Sequence, residues 1–510
     1  MAGAFGLAAW SPEPALFAFT LAAPLLNGLP TLGLAGGSPA LVFAALWLGL
    51  IARRCVGKAE CNRAGIDMLS AIQLRFPLLA TDVLTTALLL SLGLQIWQHH
   101  SASGFWAVFY RNTASGYGHP NYFLNSAFIW LQGLIYFREL ITTTTTVFTT
   151  RAVVSESTGA TPPPHHSGDG VKTEADVDCR KSRSQRRSIS AWARPMFLST
   201  AVLMAIFTFI EYQFHVPEGW TGGFQSPYED IFSFGGMAVS VLVFTVAITR
   251  KTTWISVAIQ ALNCIGLLGL VIVSWSRGTW LAAAVFLLVI AWFRLPRWCT
   301  IGFVFISIVS VVMINDNATR PSWQNQVYLS RLLALVRVEK LADKSAGRFD
   351  LYHKAIGMIR ERPLSGHGIG SFYLTSPGYA RTGDPYDGIP NFAHNVFLQI
   401  AAEQGVLIAG LFASLVGYAL WRGLETWQRS TILDQLSTSQ GQQPSRDRLT
   451  LLGTTLALGA YLQTNLTSNS LNIYVSNQFF FWFLMAVLLT WPHRWSDKAS
   501  ESGSLGVAGP

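Results

Sequence analysis

Two side chains at the ends of apolar stretches could bind an anion and accept a proton. Arg277, in SWSRGTW, precedes a long apolar run and has no acidic neighbour in sequence. An arginine keeps its charge and can hold a phosphate through two parallel hydrogen bonds. The alternative is that Arg277 binds no anion and only extends its side chain along an apolar surface to reach water. His394 precedes another apolar run. It could accept a proton from a hydroxyl near neutral pH, or it could simply cap a helix.

The stretch 315–393 between these two residues is too long for a simple connection, and such segments are usually functional or disordered. Within 346–362, apolar residues recur at the spacing of one helical face, at Leu351, Ala355, Met358 and Ile359. This pattern predicts an amphipathic helix. The sequence PLSGHGIGSFY that follows predicts a turn and a flexible glycine-rich segment.

The end of the same stretch mixes aromatic and polar residues, namely Tyr379, Arg381, Asp384, Tyr386 and Asp387. Flat apolar faces beside hydrogen-bonding groups are typical of a carbohydrate or phosphosugar site. Tyr386 is therefore a candidate substrate-binding residue. The alternative is a helical lid that lies on a membrane surface.

Other polar groups in or beside apolar stretches are weaker candidates. Glu403 lies about half a helical revolution away from His394, which predicts that it faces another helix and not the same pocket. Asp82 and Glu211 are expected to pair with neighbours and fix packing. Residues 118–121 (GHPN) are either a simple helix start or a polar wall of the site.

The composition is that of a polytopic membrane protein. Of the 510 residues, 51% are hydrophobic and 12% charged, whereas soluble domains carry about 25% charged residues. A disordered chain, a disulfide scaffold and a β-barrel are thereby excluded. An all-α protein with about twelve transmembrane helices is predicted. The apolar stretches lie near 13–29, 32–52, 77–97, 120–142, 195–215, 231–249, 253–273, 278–294, 297–314, 395–421, 449–467 and 475–491.

The distribution of Lys and Arg predicts the orientation. With a cytoplasmic N-terminus, 24 of the 36 Lys and Arg residues fall in cytoplasmic segments, and ten more lie in the long 315–393 stretch, which does not count toward the positive-inside rule. Both termini are then cytoplasmic and 315–393 is outside. The net charge of +9 reflects topology and anionic membrane lipids, not a nucleic-acid partner.

Four regions follow from this topology. Residues 1–314 hold the first nine transmembrane helices, with a disordered cytoplasmic insert at 152–192 that is rich in Pro and Ser. Residues 315–393 form the outer, catalytic loop. Residues 394–494 hold the last three transmembrane helices, and 495–510 form a disordered cytoplasmic tail.

Three motifs resemble the O-antigen ligase superfamily of ligases, polysaccharide polymerases and bacterial protein O-oligosaccharyltransferases. They are GYGHPNYF (116–123), SRGTWLA (276–282) and the run from GRFDLYHKA through RPLSGHGIGSF to HNVFLQIAAEQGVLIAG. Arg277 and Leu281 resemble the family's Arg-x-x-x-Leu element, and His394 and Leu398 resemble its His-x-x-x-Leu element. The Arg element precedes the large loop and the His element closes it, as in the family.

This resemblance implies a helical fold similar to class C glycosyltransferases, with a large helical periplasmic loop. It also implies a glycan donor on undecaprenyl diphosphate and an inverting transfer without metal or cofactor. Arg277 would hold the diphosphate, His394 would orient or deprotonate the acceptor hydroxyl, and Arg348 would assist anion binding. Asn121 and Asn395, which lie within the matching motifs, are further substrate-binding candidates.

The expected function is a ligase of the bacterial inner membrane that joins a lipid-linked O-antigen to a lipid A-core hydroxyl on the periplasmic face. A polymerase or a protein oligosaccharyltransferase would use the same donor. A transporter of lipid-linked sugars is the non-enzymatic alternative, but it should carry ionisable groups near the membrane midplane. No nucleotide-binding loop, HExxH or GxSxG motif is present. A metal site at Asp384 and Asp387 stays an alternative.

Overall fold

The computed structural model describes residues 2–28, 39–57, 68–99, 122–157, 192–214, 231–249, 254–274, 276–294, 347–381, 391–437, 446–468, 471 and 475–491. These residues are almost entirely helical, and no β-strand occurs among them. The helices are α1 (Ala2–Trp10), α2 (Pro12–Gly28), α3 (Pro39–Gly57), α4 (Met68–His99), α5 (Tyr122–Ser157), α6 (Ala193–Phe214), α7 (Ile231–Ile248), α8 (Trp254–Val273), α9 (Arg277–Arg294), α10 (Arg348–Glu361), α11 (Phe372–Thr375), α12 (Val396–Gln404), α13 (Val406–Ser437), α14 (Arg446–Asn465) and α15 (Val475–Leu489). A 3-10 turn, Ser376–Tyr379, follows α11.

The all-α prediction is confirmed for the described residues. A helix lies over every predicted apolar stretch except 297–314, which is outside the described residues. Two helical segments, Leu74–Ile96 and Val406–Ile432, are long and apolar enough to cross a membrane. The chain is therefore consistent with a helical membrane protein, while twelve crossing helices stay a prediction.

Apolar side chains fill the inside of the helix bundle and also cover much of its outside. Helix α15 is buried on all sides by α2, α5, α13 and α14, and Trp482 at its centre is fully enclosed. Leu90 of α4 and Leu262 of α8 are about 70% exposed. Apolar side chains on the outer face suit a bundle surrounded by hydrocarbon chains, where helices associate through close packing.

Small residues bring α7 and α14 close together. The Ser240 hydroxyl donates across the interface to the Ala457 carbonyl (3.2 Å), and a Cβ at Gly236 would press on Tyr461. Between α4 and α5, Asp82 pairs with Arg138, as expected for an acidic residue that fixes packing. The Glu211 side chain lies outside the described residues.

Two sequence-based boundaries are wrong. Helix α5 continues to Ser157, so the first residues of the predicted disordered insert 152–192 are helical; residues 158–191 lie outside the described residues. The predicted continuous span 395–421 is broken at Gly405, which has a φ of 89° and separates α12 from α13. The break exists because the Val406 amide donates to the Pro363 carbonyl (2.8 Å).

We expect Gly405→Ala to destabilise the protein by about 2–4 kcal/mol, because a side chain is disfavoured at this φ. Its Cβ would also overlap the Leu364 carbonyl, which is backbone and cannot rotate away. Gly410→Ala is the matched control: the space around Gly410 in α13 is open, so alanine should be neutral or gain up to about 1 kcal/mol. Thermal unfolding of the detergent-purified variants, followed by tryptophan fluorescence, measures both. Equal melting temperatures for the two variants would contradict this account of the break.

Candidate active site

His394 has a backbone conformation that is unusual for a residue with a side chain. Its φ is 49°, the one positive value for a non-glycine residue in the described part of the chain. Such a conformation costs about 1–3 kcal/mol and persists only when the surroundings enforce it, which is common at functional sites. The next residue, Asn395, caps α12: its Oδ1 accepts hydrogen bonds from the amides of Phe397 (3.0 Å) and Leu398 (3.1 Å).

The imidazole of His394 is held in its neutral form. Burial lowers its pKa to about 4, and the nearby positive charge of Arg348 contributes in the same direction. A ring that is neutral at pH 7 offers an unprotonated nitrogen, which can accept a hydrogen bond or a proton from a hydroxyl.

The first turn of α10 and the start of α12 meet at the backbone carbonyl of Leu466, just after α14. The Tyr352 hydroxyl donates to this carbonyl (3.0 Å), and so does the side-chain amide of Asn395 (3.3 Å). Arg348 is close enough for its charge to act on both Tyr352 and His394. Burial raises the pKa of Tyr352 and the Arg348 charge opposes this, whereas burial and the Arg348 charge both lower the pKa of His394. The predicted residues Arg348, His394 and Asn395 are thus brought together.

Arg277 is the first residue of α9. The Ser276 hydroxyl accepts from the Thr279 amide (3.3 Å), so a serine caps this helix start. A Cβ on Gly278 would overlap the Thr467 hydroxyl, which shows how closely α9 approaches the segment after α14. A helix N-terminus carries partial positive charge, and Arg277 adds a full charge, so this end of α9 is suited to an anion.

The segment after α14 therefore connects the two halves of the candidate site. Leu466 contacts the side with His394, and the next residue, Thr467, contacts the side with Arg277. This segment was not among the residues predicted from sequence. Its signal there is the polar run TNLTSNS (464–470), directly after an apolar stretch.

A second part of the site is built around the carboxyl group of Glu403. It accepts hydrogen bonds from the Gly370 amide (2.8 Å), the Phe372 amide (3.3 Å) and the Gln399 side chain (3.0 Å). The expectation that Glu403 faces another helix is met in part: Phe372 is the first residue of α11, whereas Gly370 lies in the glycine segment before it and Gln399 lies on the same helix as Glu403.

The glycine segment is packed rather than flexible, so this expectation is also corrected. Gly366, Gly368 and Gly370 all have positive φ values (61°, 99° and 72°). Two side chains of α4 hold the backbone between them: Gln95 donates to the His367 carbonyl (2.8 Å), and Ser91 accepts from the Ile369 amide (3.0 Å). The glycines allow this close approach of backbone and side chains.

The amphipathic helix predicted over 346–362 is confirmed as α10, with Leu351, Ala355 and Met358 buried. Two predicted site residues, Asn121 and Tyr386, lie outside the described residues, as do 118–120, Asp384 and Asp387. Their suggested roles in sugar or metal binding stay predictions.

Comparison with known proteins gives one result. Residues 262–413 match the family model described as O-antigen ligase, which covers less than a third of the chain. The matched stretch extends from α8 to the first turns of α13 and includes Arg277, Arg348, His394 and Glu403. No curated protein sequence matches the chain.

Proposed function

We propose that this chain is a membrane glycan ligase, on the basis of the O-antigen ligase family model that residues 262–413 match. It transfers a glycan from a polyprenyl diphosphate, such as an undecaprenyl-linked O-antigen, to a hydroxyl of the lipid A-core. The reaction takes place on the periplasmic face of the bacterial inner membrane. The observation that supports this best is a half-buried histidine with a neutral ring, placed beside the end of α14. Its neighbour Asn395 bonds the Leu466 carbonyl, and the next residue, Thr467, packs against Gly278 beside Arg277.

The donor needs stabilisation of negative charge more than it needs a strong acid. The bond between the anomeric carbon and the diphosphate oxygen breaks, and the diphosphate leaves as an anion. Arg277 and the N-terminus of α9 bind this anion, and Arg348 assists from α10. Preorganised positive charges of this kind stabilise the transition state without reorganisation.

The acceptor hydroxyl needs a partner that takes its hydrogen bond. His394 supplies an unprotonated ring nitrogen, to which the hydroxyl donates as its oxygen attacks the anomeric carbon. Burial and the positive charge of Arg348 both lower the pKa of His394. An anionic donor bound beside Arg348 offsets that charge, so the pKa of His394 rises and the imidazole becomes a better base. Attack opposite to the leaving diphosphate inverts the anomeric configuration.

We expect Arg277→Ala and His394→Ala to lower transfer by at least about 100-fold, because each removes a charge or acceptor used in the transition state. Arg277→Lys keeps the charge but loses the paired hydrogen bonds, and should retain intermediate activity. Arg429→Ala is the matched control, since this exposed arginine of α13 pairs with Glu425. The assay uses purified protein, a lipid-linked donor and a lipid A-core acceptor. Full activity in both alanine variants would overturn the mechanism.

A lipopolysaccharide gel of a deletion strain, run beside its lipid-linked glycan pool, tests the acceptor. Bare core with long glycan accumulating on the carrier lipid supports the ligase. Core carrying a single repeat unit indicates a polymerase instead. An unchanged ladder would overturn the assignment of lipid A-core as acceptor and direct attention to a protein acceptor, and lipid-linked glycan that crosses the membrane without a new glycosidic bond would indicate a transporter.

The pH dependence of transfer tests the role of Arg348. Removing its positive charge raises the pKa of His394, so Arg348→Gln should move the acid limb of kcat/KM to higher pH by about one pH unit. Arg348→Lys keeps the charge and should leave the limb in place. An acid limb at the same pH in both variants would show that the charge of Arg348 does not set the pKa of the group that controls the limb, and would overturn this role of Arg348.

A further inference from the structure

The strained backbone at His394 is held on both sides. On its C-terminal side, Asn395 caps α12. On its N-terminal side, the amide of Ala393, a fully buried residue, donates to Oε1 of Gln399 (3.3 Å). Gln399 lies one helical turn into α12, and only 2% of it is exposed. Its side chain therefore reaches back from the helix to the residue directly before His394.

The other end of the Gln399 side chain is fixed as well. Its Nε2 donates to Glu403 Oε1 (3.0 Å), and Glu403 accepts the amides of Gly370 and Phe372. Residues four apart lie on one face of a helix, so Gln399 and Glu403 are stacked along α12. The result is a continuous buried chain of hydrogen bonds from the glycine segment through Glu403 and Gln399 to Ala393.

The position between an amide donor and a carboxylate needs a side chain with one acceptor and one donor. Glutamine provides both, with Oε1 towards Ala393 and Nε2 towards Glu403. A glutamate at 399 would place two carboxylates side by side, and an apolar residue would leave a buried amide and a carboxylate oxygen without these bonds. The arrangement therefore depends on the amide chemistry of Gln399 and not only on its size.

We propose that Gln399 is a positioning residue for His394, with Glu403 as its anchor to the glycine segment. The hydrogen-bond chain keeps the backbone at Ala393 in place, and this fixes the direction in which the imidazole of His394 points. The proposal rests on the ligase function proposed above. It assigns neither Gln399 nor Glu403 a contact with substrate.

Steady-state kinetics of Gln399→Leu test the proposal. We expect kcat to fall about 10- to 100-fold, since small displacements of a reacting group have effects of this size. The KM for the lipid-linked donor should stay within about threefold, because Arg277 and Arg348 are unchanged. Gln404→Leu is the matched control on the same helix, since Gln404 lines an apolar cleft beside Ile400 and Ile408 and should keep wild-type kcat.

A swap of the two side chains separates positioning from a general loss of folding. Gln399→Glu and Glu403→Gln should each lower kcat: the first creates adjacent carboxylates, and the second leaves one side-chain oxygen where Glu403 uses two to accept three hydrogen bonds. The double variant, Gln399→Glu with Glu403→Gln, restores an acceptor for the Ala393 amide and a donor–acceptor pair between positions 399 and 403, and loses only the hydrogen bond from the Phe372 amide. It should recover at least about tenfold over the worse single variant. Such recovery is not expected of two unrelated structural defects.

The outcomes distinguish the two proposals. A wild-type protein without transfer activity would overturn the ligase function and the positioning role that rests on it. An active wild type with an unimpaired Gln399→Leu would overturn the positioning role alone. If Gln399→Leu does not fold, as judged by gel filtration and thermal unfolding, the swap decides, and additive losses in the double variant would overturn the role.

Discussion

The arrangement of the candidate active site depends on one backbone carbonyl, that of Leu466 at the end of α14. Carbonyls at the end of a helix have no partner within it, so this oxygen is available to other parts of the chain. Tyr352 of α10 and Asn395 of α12 both donate to it, and Thr467 next to it packs against Gly278 of α9. Three helices that are far apart in sequence are thereby held at one point, together with Arg348, His394 and Arg277.

A buried carboxyl group organises the region behind this point. Burying a charged carboxylate is unfavourable unless hydrogen bonds compensate for the lost water, and Glu403 receives three of them. Two come from backbone amides of the glycine segment, where positive φ values allow the chain to turn its amides inward. These hydrogen bonds hold the glycine segment in place. The third donor to Glu403 is the side-chain amide of Gln399, whose oxygen accepts from the Ala393 amide directly before His394.

The glycan transfer proposed for this chain fits this arrangement of charges. Positive charge is concentrated at the start of α9 and the first turn of α10, while the half-buried imidazole of His394 stays neutral. A leaving diphosphate and an acceptor hydroxyl require these two environments. Neither environment is created by one helix alone. Helix α10 and the start of α12 both bond the end of α14, and the start of α9 packs against the residue that follows.

The helices and the candidate residues could be predicted from the sequence, whereas the hydrogen bonds that join them depend on the tertiary structure. Apolar runs and the spacing of Leu351, Ala355 and Met358 predicted the bundle and α10, because burial of apolar groups follows from local pattern. The break at Gly405, the partners of Glu403 and the φ of His394 could not be predicted in the same way. The break and the backbone partners of Glu403 arise from hydrogen bonds between residues 30 or more positions apart, namely Pro363 with Val406 and Gly370 or Phe372 with Glu403. The backbone at His394 is held by the local Ala393–Gln399 bond, but Gln399 is itself fixed by Glu403. The geometry of these bonds is set only when the segments pack together.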